Sequence, residues 1–159
     1  MEQRINAFEK GQNAMRAMYG IGAYLGKCSI EQELLHLIYF RVSQINGCAY
    51  CLDMHSKDLL AIGERPQRLF LLDAWREAPL FSERERAALQ WAEAVTLIKD
   101  GNVDNESYEN AIAQFSEEEL IDLTLAITTI NSYNRINISF RTVAGSYTVG
   151  QHKVAVNKN

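Results

Sequence analysis

Proline is almost missing from this sequence: Pro66 and Pro79 are the only two in 159 residues, and glycine is limited to nine. That scarcity excludes a collagenous or linker-rich chain and leaves room for long helices. Strong charge of one sign is lacking too. The formal net charge is −4, so there is no basic footprint for a nucleic acid, and the acidic excess is too mild to demand a basic partner. Apolar runs of membrane length are also missing. The nearest, residues 120–130, is broken by Asp122 and three threonines, so no transmembrane helix and no membrane partner are expected. The stretch MEQRINAFEKGQNAM scatters charges and holds no apolar run, so no secretory leader is expected. Cysteine is scarce and odd in number: Cys28, Cys48 and Cys51. A chain of this size should bury roughly 70% of its unfolded surface, so it does not need disulfide staples. A reducing, cytoplasmic setting is the expectation, and there a Cys-x-x-Cys pair reads as redox-active or metal-binding.

What is present is helical punctuation. Apolar residues make up 47% and charged residues 23%, ordinary for a globular chain. Ser29-x-x-Gln32, Ser82-x-x-Glu85 and Ser116-x-x-Glu119 each precede an apolar-periodic run, as capping boxes do. Pro66 suits the first turn of a helix after Gly63 has ended the one before. The expected helices lie within 3–19 and over about 30–45, 47–62, 66–76, 83–99, 105–113 and 117–140. Leu120, Leu123, Ile127, Ile130 and Tyr133 follow helical steps, as do Ala87, Ala88, Trp91, Ala94, Val95 and Ile98. No segment alternates with period two, and the tail after Gly145 reads as irregular. The expected class is all-α: one domain over 1–159, a bundle of about six to seven helices.

The chemistry concentrates in residues 41–55, RVSQINGCAYCLDMH. Asn46-Gly47 stops one helix and turns the chain. Cys48 is then expected in the first turn of the next helix, where unpaired N–H groups and the helix dipole favour an anion and lower a thiol pKa. Cys48, Cys51 and His55 stand at i, i+3 and i+7, one helix face, so His55 can serve Cys51 as proton acceptor or ion-pair partner. Such a pair suits a peroxidase or a disulfide exchanger: in the peroxidase case a thiolate becomes sulfenic acid, the second thiol condenses with it, and an external dithiol restores both. Cys51, next to His55, is assigned the attack and Cys48 the resolving role, although the spacing also permits the reverse. The chemistry itself requires no bound cofactor.

Other readings compete. The cysteines could be small core residues. Cys48, Cys51, His55 and His36 could form a Cys2His2 zinc site, although three ligands on one helical face crowd a tetrahedral ion. The disulfide could also switch a partner contact in a non-enzymatic redox sensor or scaffold. A thioredoxin-like fold requires a strand before the motif, where this sequence reads as helix. Tyr39, Tyr50 and Tyr133 could line a pocket, although aromatic residues at helical spacing are more often core. Ser43 and Asp53 read as capping or solvated, Trp75 and Trp91 as packing residues, Arg135 and Arg141 as solvated or in inter-subunit salt bridges rather than binding an acidic group, and Cys28 as a bystander.

Residues 41–55 resemble the alkylhydroperoxidase D branch of the carboxymuconolactone decarboxylase-like family. The similarity continues through Gly63-Glu64, residues 72–78 with Trp75-Arg76, residues 81–88, Trp91-Ala92-Glu93-Ala94, residues 115–120 and residues 130–135, covering about 30–148. The resemblance implies an all-helical fold assembling as trimers or hexamers. For the branch carrying both cysteines it implies thiol-dependent hydroperoxide reduction fed by a dithiol reductant, protein or lipoyl-like. The decarboxylase branch lacks the cysteine pair, so decarboxylation is not implied. Carried over by position, Cys48 and Cys51 match the redox pair and His55 the proton-relay histidine. One position departs: the relay glutamate commonly found twelve residues before the first cysteine is here His36, with Glu33 and Glu31 three and five residues earlier. Either His36 serves as the relay base itself, or the peroxidase activity here is weaker or different and His36 is a satisfied histidine on a partly buried helix face.

Overall fold

The computed structural model describes residues 2–151. Among these there are eight α-helices and no strand, only an isolated bridge between Lys99 and Asn102. The helices are α1 (Ala7–Lys10), α2 (Gln12–Leu25), α3 (Gln32–Asn46), α4 (Ala49–Ala61), α5 (Pro66–Leu71), α6 (Glu83–Thr96), α7 (Asn105–Ile112) and α8 (Glu117–Phe140), with a 3-10 turn, Leu72–Ala74, after α5. Among the described residues, no helix is long and apolar enough to cross a membrane.

Two capping boxes form as the sequence predicts. Ser82 and Glu85 exchange side-chain and backbone bonds at the start of α6, and Ser116 and Glu119 do so at the start of α8. Pro66 opens α5. The third cap does not form. Glu31, not Ser29, is the N-cap of α3, and the Gln32 side chain instead donates to the Leu25 carbonyl at 3.1 Å. The N-terminal segment also differs from the sequence reading. It holds two helices rather than one, broken at Gly11, and the second continues through Gly20 and Gly22 to Leu25. Those two glycines face open space, so they strain nothing, and buried Met15 and Leu25 hold the helix to the core. α6 ends at Thr96, so Ile98, expected on its core face, lies beyond the helix and is exposed. Residues 145–151 are irregular as expected, and the rest of the tail lies outside the described residues.

α3 lies at the centre, packed on α4, α8 and α6. Leu35, Leu37, Ile38 and Val42 of α3 meet Leu89 and Ala92 of α6 and Leu123, Ile127 and Ile130 of α8 in one apolar cluster. Trp75 and Trp91 pack into it, as expected. Each also donates its indole N–H, to Glu93 at 2.8 Å and to Thr124 at 2.9 Å. Glu93 further binds buried Arg41 at 2.8 Å and Arg76 at 2.6 Å, fixing the end of α3 against α6.

The turn between α3 and α4 sets the site. Gly47 adopts φ +68. Its N–H donates to the Gln44 carbonyl at 3.1 Å, and the Cys48 N–H reaches the Ser43 carbonyl at 3.1 Å. This pair of bonds is a Schellman motif. A Cβ on Gly47 would meet nothing within 4 Å, so only the backbone conformation opposes a larger residue. Gly47→Ala is therefore expected to cost about 1–2 kcal/mol, the penalty of placing an L side chain in the left-handed region. Thermal denaturation should show a fall in Tm of roughly 2–8 °C for a chain of this size. An unchanged Tm would mean that the corner is not held in this conformation.

Candidate active site

Cys48 ends one motif and begins the next. It follows Gly47 in the Schellman turn and is the N-cap of α4, one position before the first turn where the sequence placed it. Its sulfur accepts the Cys51 backbone N–H at 3.4 Å. Cys48 and Cys51 are joined as a disulfide with Cα atoms 5.3 Å apart. Both residues are 1% exposed, and Tyr50 and Met54 pack against them.

A ladder of buried amides ties this corner to α8. Asn46 donates to Asn131 and to Asn134, each at 2.9 Å. Asn134 donates to the Ser43 hydroxyl at 3.0 Å, and Ser43 donates to the Tyr39 carbonyl at 2.7 Å. Asn137 donates to the Cys51 sulfur at 3.5 Å. Asn131, Asn134 and Asn137 recur every three residues, so one face of α8 carries all three. Arg135 donates to the Asn131 side chain at 2.8 Å. Ser43 is a buried link in this ladder rather than a solvated cap.

His55 lies one turn beyond Cys51 on α4 and is buried, and neither ring nitrogen has a hydrogen-bond partner. Its ring faces Tyr39 at 5.4 Å and His36 at 6.2 Å between centroids. The expected hydrogen bond from His55 to Cys51 is not formed with the sulfurs paired. Burial, and then the nearby His36, push its pKa down to about 3. His36 is partly exposed, with Nδ1 buried and unpartnered. Burial lowers its pKa too, while the carboxylates of Asp58 and Glu33 oppose the shift. Glu31, the other carboxylate near His36 in sequence, is bound by Arg84 at 3.0 Å.

Asp58 escaped the sequence reading. One ligand atom each from His36, His55 and Asp58 lie within 4.8 Å of one another. The signal was present, because Asp58 stands three residues after His55 and so shares its face of α4. Its other contact was not legible: Tyr147, from the tail, donates its hydroxyl to Asp58 at 2.8 Å. Asp53 is partly exposed but engaged. It pairs with Lys57 at 2.8 Å and accepts the Gly145 N–H at 3.0 Å. Lys57 and the Gly145 N–H hold its carboxyl below the usual range. The Cys2His2 alternative does not assemble, since among the described residues the cluster of metal-capable donors contains no cysteine. Cys28 is a free thiol donating to the Leu25 carbonyl at 3.2 Å.

Residues 10–94 match the model of the Carboxymuconolactone decarboxylase family. The chain is 40% identical over 146 residues to YdfG, an uncharacterized protein of Bacillus subtilis (strain 168), spanning 92% of this chain and 99% of that one. It is also similar to the crystal structure of a protein of unknown function from Agrobacterium tumefaciens, provisionally assigned as the antioxidant defence protein AhpD. That likeness has a TM-score of 0.87 at 38% identity and covers 92% of this chain and 100% of the other. The debrominase Bmp8 in complex with 2,3,4-tribromopyrrole is similar in fold alone, with a TM-score of 0.78 at 21% identity over 87% of this chain and 74% of the other.

The amide ladder is testable through stability. Asn134 is fully buried and bonded to residues 43 and 46. Asn134→Ala should cost about 1–3 kcal/mol in urea denaturation, because it strands buried partners. Asn110→Ala, at an exposed position on α7, should cost under about 0.5 kcal/mol. Equal effects would count against the ladder.

Proposed function

The chain belongs to the carboxymuconolactone decarboxylase family, and on that premise we propose that it is a thiol-dependent hydroperoxide reductase. A fold that also serves a debrominase does not choose a reaction, so the residues must. The observation that carries the reading is the Cys48–Cys51 disulfide at the start of α4, one turn from a buried, unpartnered His55. The antioxidant-defence assignment of the Agrobacterium relative points the same way.

In the proposed cycle the reduced Cys51 gives its proton to His55 and attacks one peroxide oxygen. The O–O bond breaks, and the leaving alkoxide takes the proton back to depart as an alcohol. Cys51 is then a sulfenic acid. The Cys48 thiol attacks that sulfur and water leaves, which regenerates the disulfide. A dithiol partner, protein or lipoyl-like, reduces the pair by exchange and is itself oxidised.

Two features support Cys51 as the attacking thiol. The Asn137 amide donates to its sulfur, and a charge-bearing sulfur gains more from such a donor than a neutral one. His55 stands one turn beyond Cys51 on the same face of α4, where its imidazole can take the thiol proton. The Cys48 sulfur, which accepts a helix-start N–H, is assigned the resolving and exchanging role. The working unit is proposed to be a homo-oligomer, a trimer or hexamer, as the family resemblance implies.

Hydroperoxide consumption with dihydrolipoamide as reductant tests this directly. Cys48→Ser and Cys51→Ser should each abolish turnover. The Cys48→Ser protein should still form one sulfenic acid, trapped by a dimedone-type probe and identified at Cys51 by mass spectrometry. His55→Asn should slow the reaction roughly 10²–10⁴-fold, the usual worth of a positioned acid–base group. Turnover that survives both cysteine substitutions would sink the proposal, and trapping at Cys48 in Cys51→Ser alone would reverse the division of roles.

A further inference from the structure

We propose that His36, His55 and Asp58 form a binding site for a borderline divalent cation of the zinc type. The site draws on two helices. His55 and Asp58 stand three residues apart on α4, and His36 faces them from α3, the helix against which α4 packs. One ligand atom from each lies within 4.8 Å of the others. Ligand atoms about 2.0–2.2 Å from a tetrahedral zinc stand roughly 3.3–3.5 Å apart, so closure requires movements of about 1 Å. His36 and Asp58 are only partly buried and can supply them.

Three unpartnered nitrogens form the second observation. His36 Nδ1 and both nitrogens of His55 are buried without a hydrogen-bond partner. Buried polar atoms in a native fold almost always have one. A single cation would take a lone pair from each ring and the Asp58 carboxylate at once. Two imidazoles and one carboxylate suit zinc, cobalt or ferrous iron, whereas calcium and magnesium call for oxygen ligands.

The surroundings fit a cation. Tyr147 donates to Asp58 at 2.8 Å, as second-layer partners orient the carboxylates of metal sites. The Glu33 carboxylate adds negative charge facing His36. Lys57, on the same helix as His55 and Asp58, is engaged by Asp53 and by the Tyr147 carbonyl at 2.9 Å. Both cysteines of the pair are joined to each other, so the site does not depend on thiolate ligands.

The site shares His55 with the proposed proton relay, but its test reads binding and stands apart from peroxidase activity. The full-length oxidised protein is titrated with zinc chloride by calorimetry, and with cobalt chloride by visible absorption. One ion should bind per chain, and the cobalt spectrum should lack sulfur-to-metal charge transfer. The Cys48→Ser/Cys51→Ser double variant should bind equally well. Asp58→Asn and His36→Gln should each weaken binding at least tenfold, and Tyr147→Phe about tenfold, the effect of losing an outer-layer partner. Circular dichroism on each variant confirms folding. Failure of the oxidised protein to bind would overturn the proposal. So would binding that survives both Asp58→Asn and His36→Gln, or binding that appears only after reduction and vanishes in the double cysteine variant.

Discussion

The corner between α3 and α4 is the constraint on which the rest of this structure depends. Three residues carry it. Asn46 closes one helix, Gly47 takes the left-handed conformation that reverses the chain, and Cys48 opens the next helix. Because the Cys48 N–H is bound to the end of α3 while its sulfur accepts a bond from the start of α4, the sulfur is placed by backbone bonds on both sides. No side-chain rotamer has to be chosen by packing first. The same corner sets the angle between α3 and α4, and so decides that His36 faces His55.

A corner made of backbone bonds could still hinge as a unit, and the buried amides of α8 prevent it. They form a polar seam through an otherwise apolar interface. Such a seam adds little net stability, because each amide gives up bonds to water. What it gains is register. Sliding α8 by one residue along α3 would strand Asn131, Asn134 and Asn137 together, and every unpaired buried amide carries a desolvation cost. An apolar seam would tolerate such a slip more easily. The amides therefore fix which residue of α8 meets the Cys51 sulfur.

Legibility in the sequence followed the range of the interactions. Caps, turns and the Cys-x-x-Cys-x-x-x-His face are local, and the helices bounded by Ser82, Ser116 and Pro66 start where their local chemistry says they should. Ser29 misled because its capping pattern competes with a longer-range bond from Gln32 to Leu25. The break at Gly11 and the passage through Gly20 and Gly22 were misread because burial of Met15 and Leu25, not propensity, sets the limits of α2. In the site, Cys48, Cys51 and His55 were legible from spacing, and His36 through the family resemblance. Asp58 sat on the same face as His55 but was passed over. Its role depends on Tyr147, which is 89 residues away.

The histidine at position 36 alters the electrostatics of this pocket more than a change of relay base. A glutamate there, as the family resemblance implies, would face His55 together with Asp58. Two carboxylates would favour the charged imidazole and offset its burial. With His36 in that place one of the two negative charges is missing, and a second ring that can itself carry positive charge stands nearby. Desolvation then dominates, and His55 is held neutral. A neutral ring offers a lone pair, which a proton or a cation can take but not both at once. The same exchange of one side chain thus keeps a neutral ring one turn from Cys51 and places a second nitrogen donor beside a carboxylate.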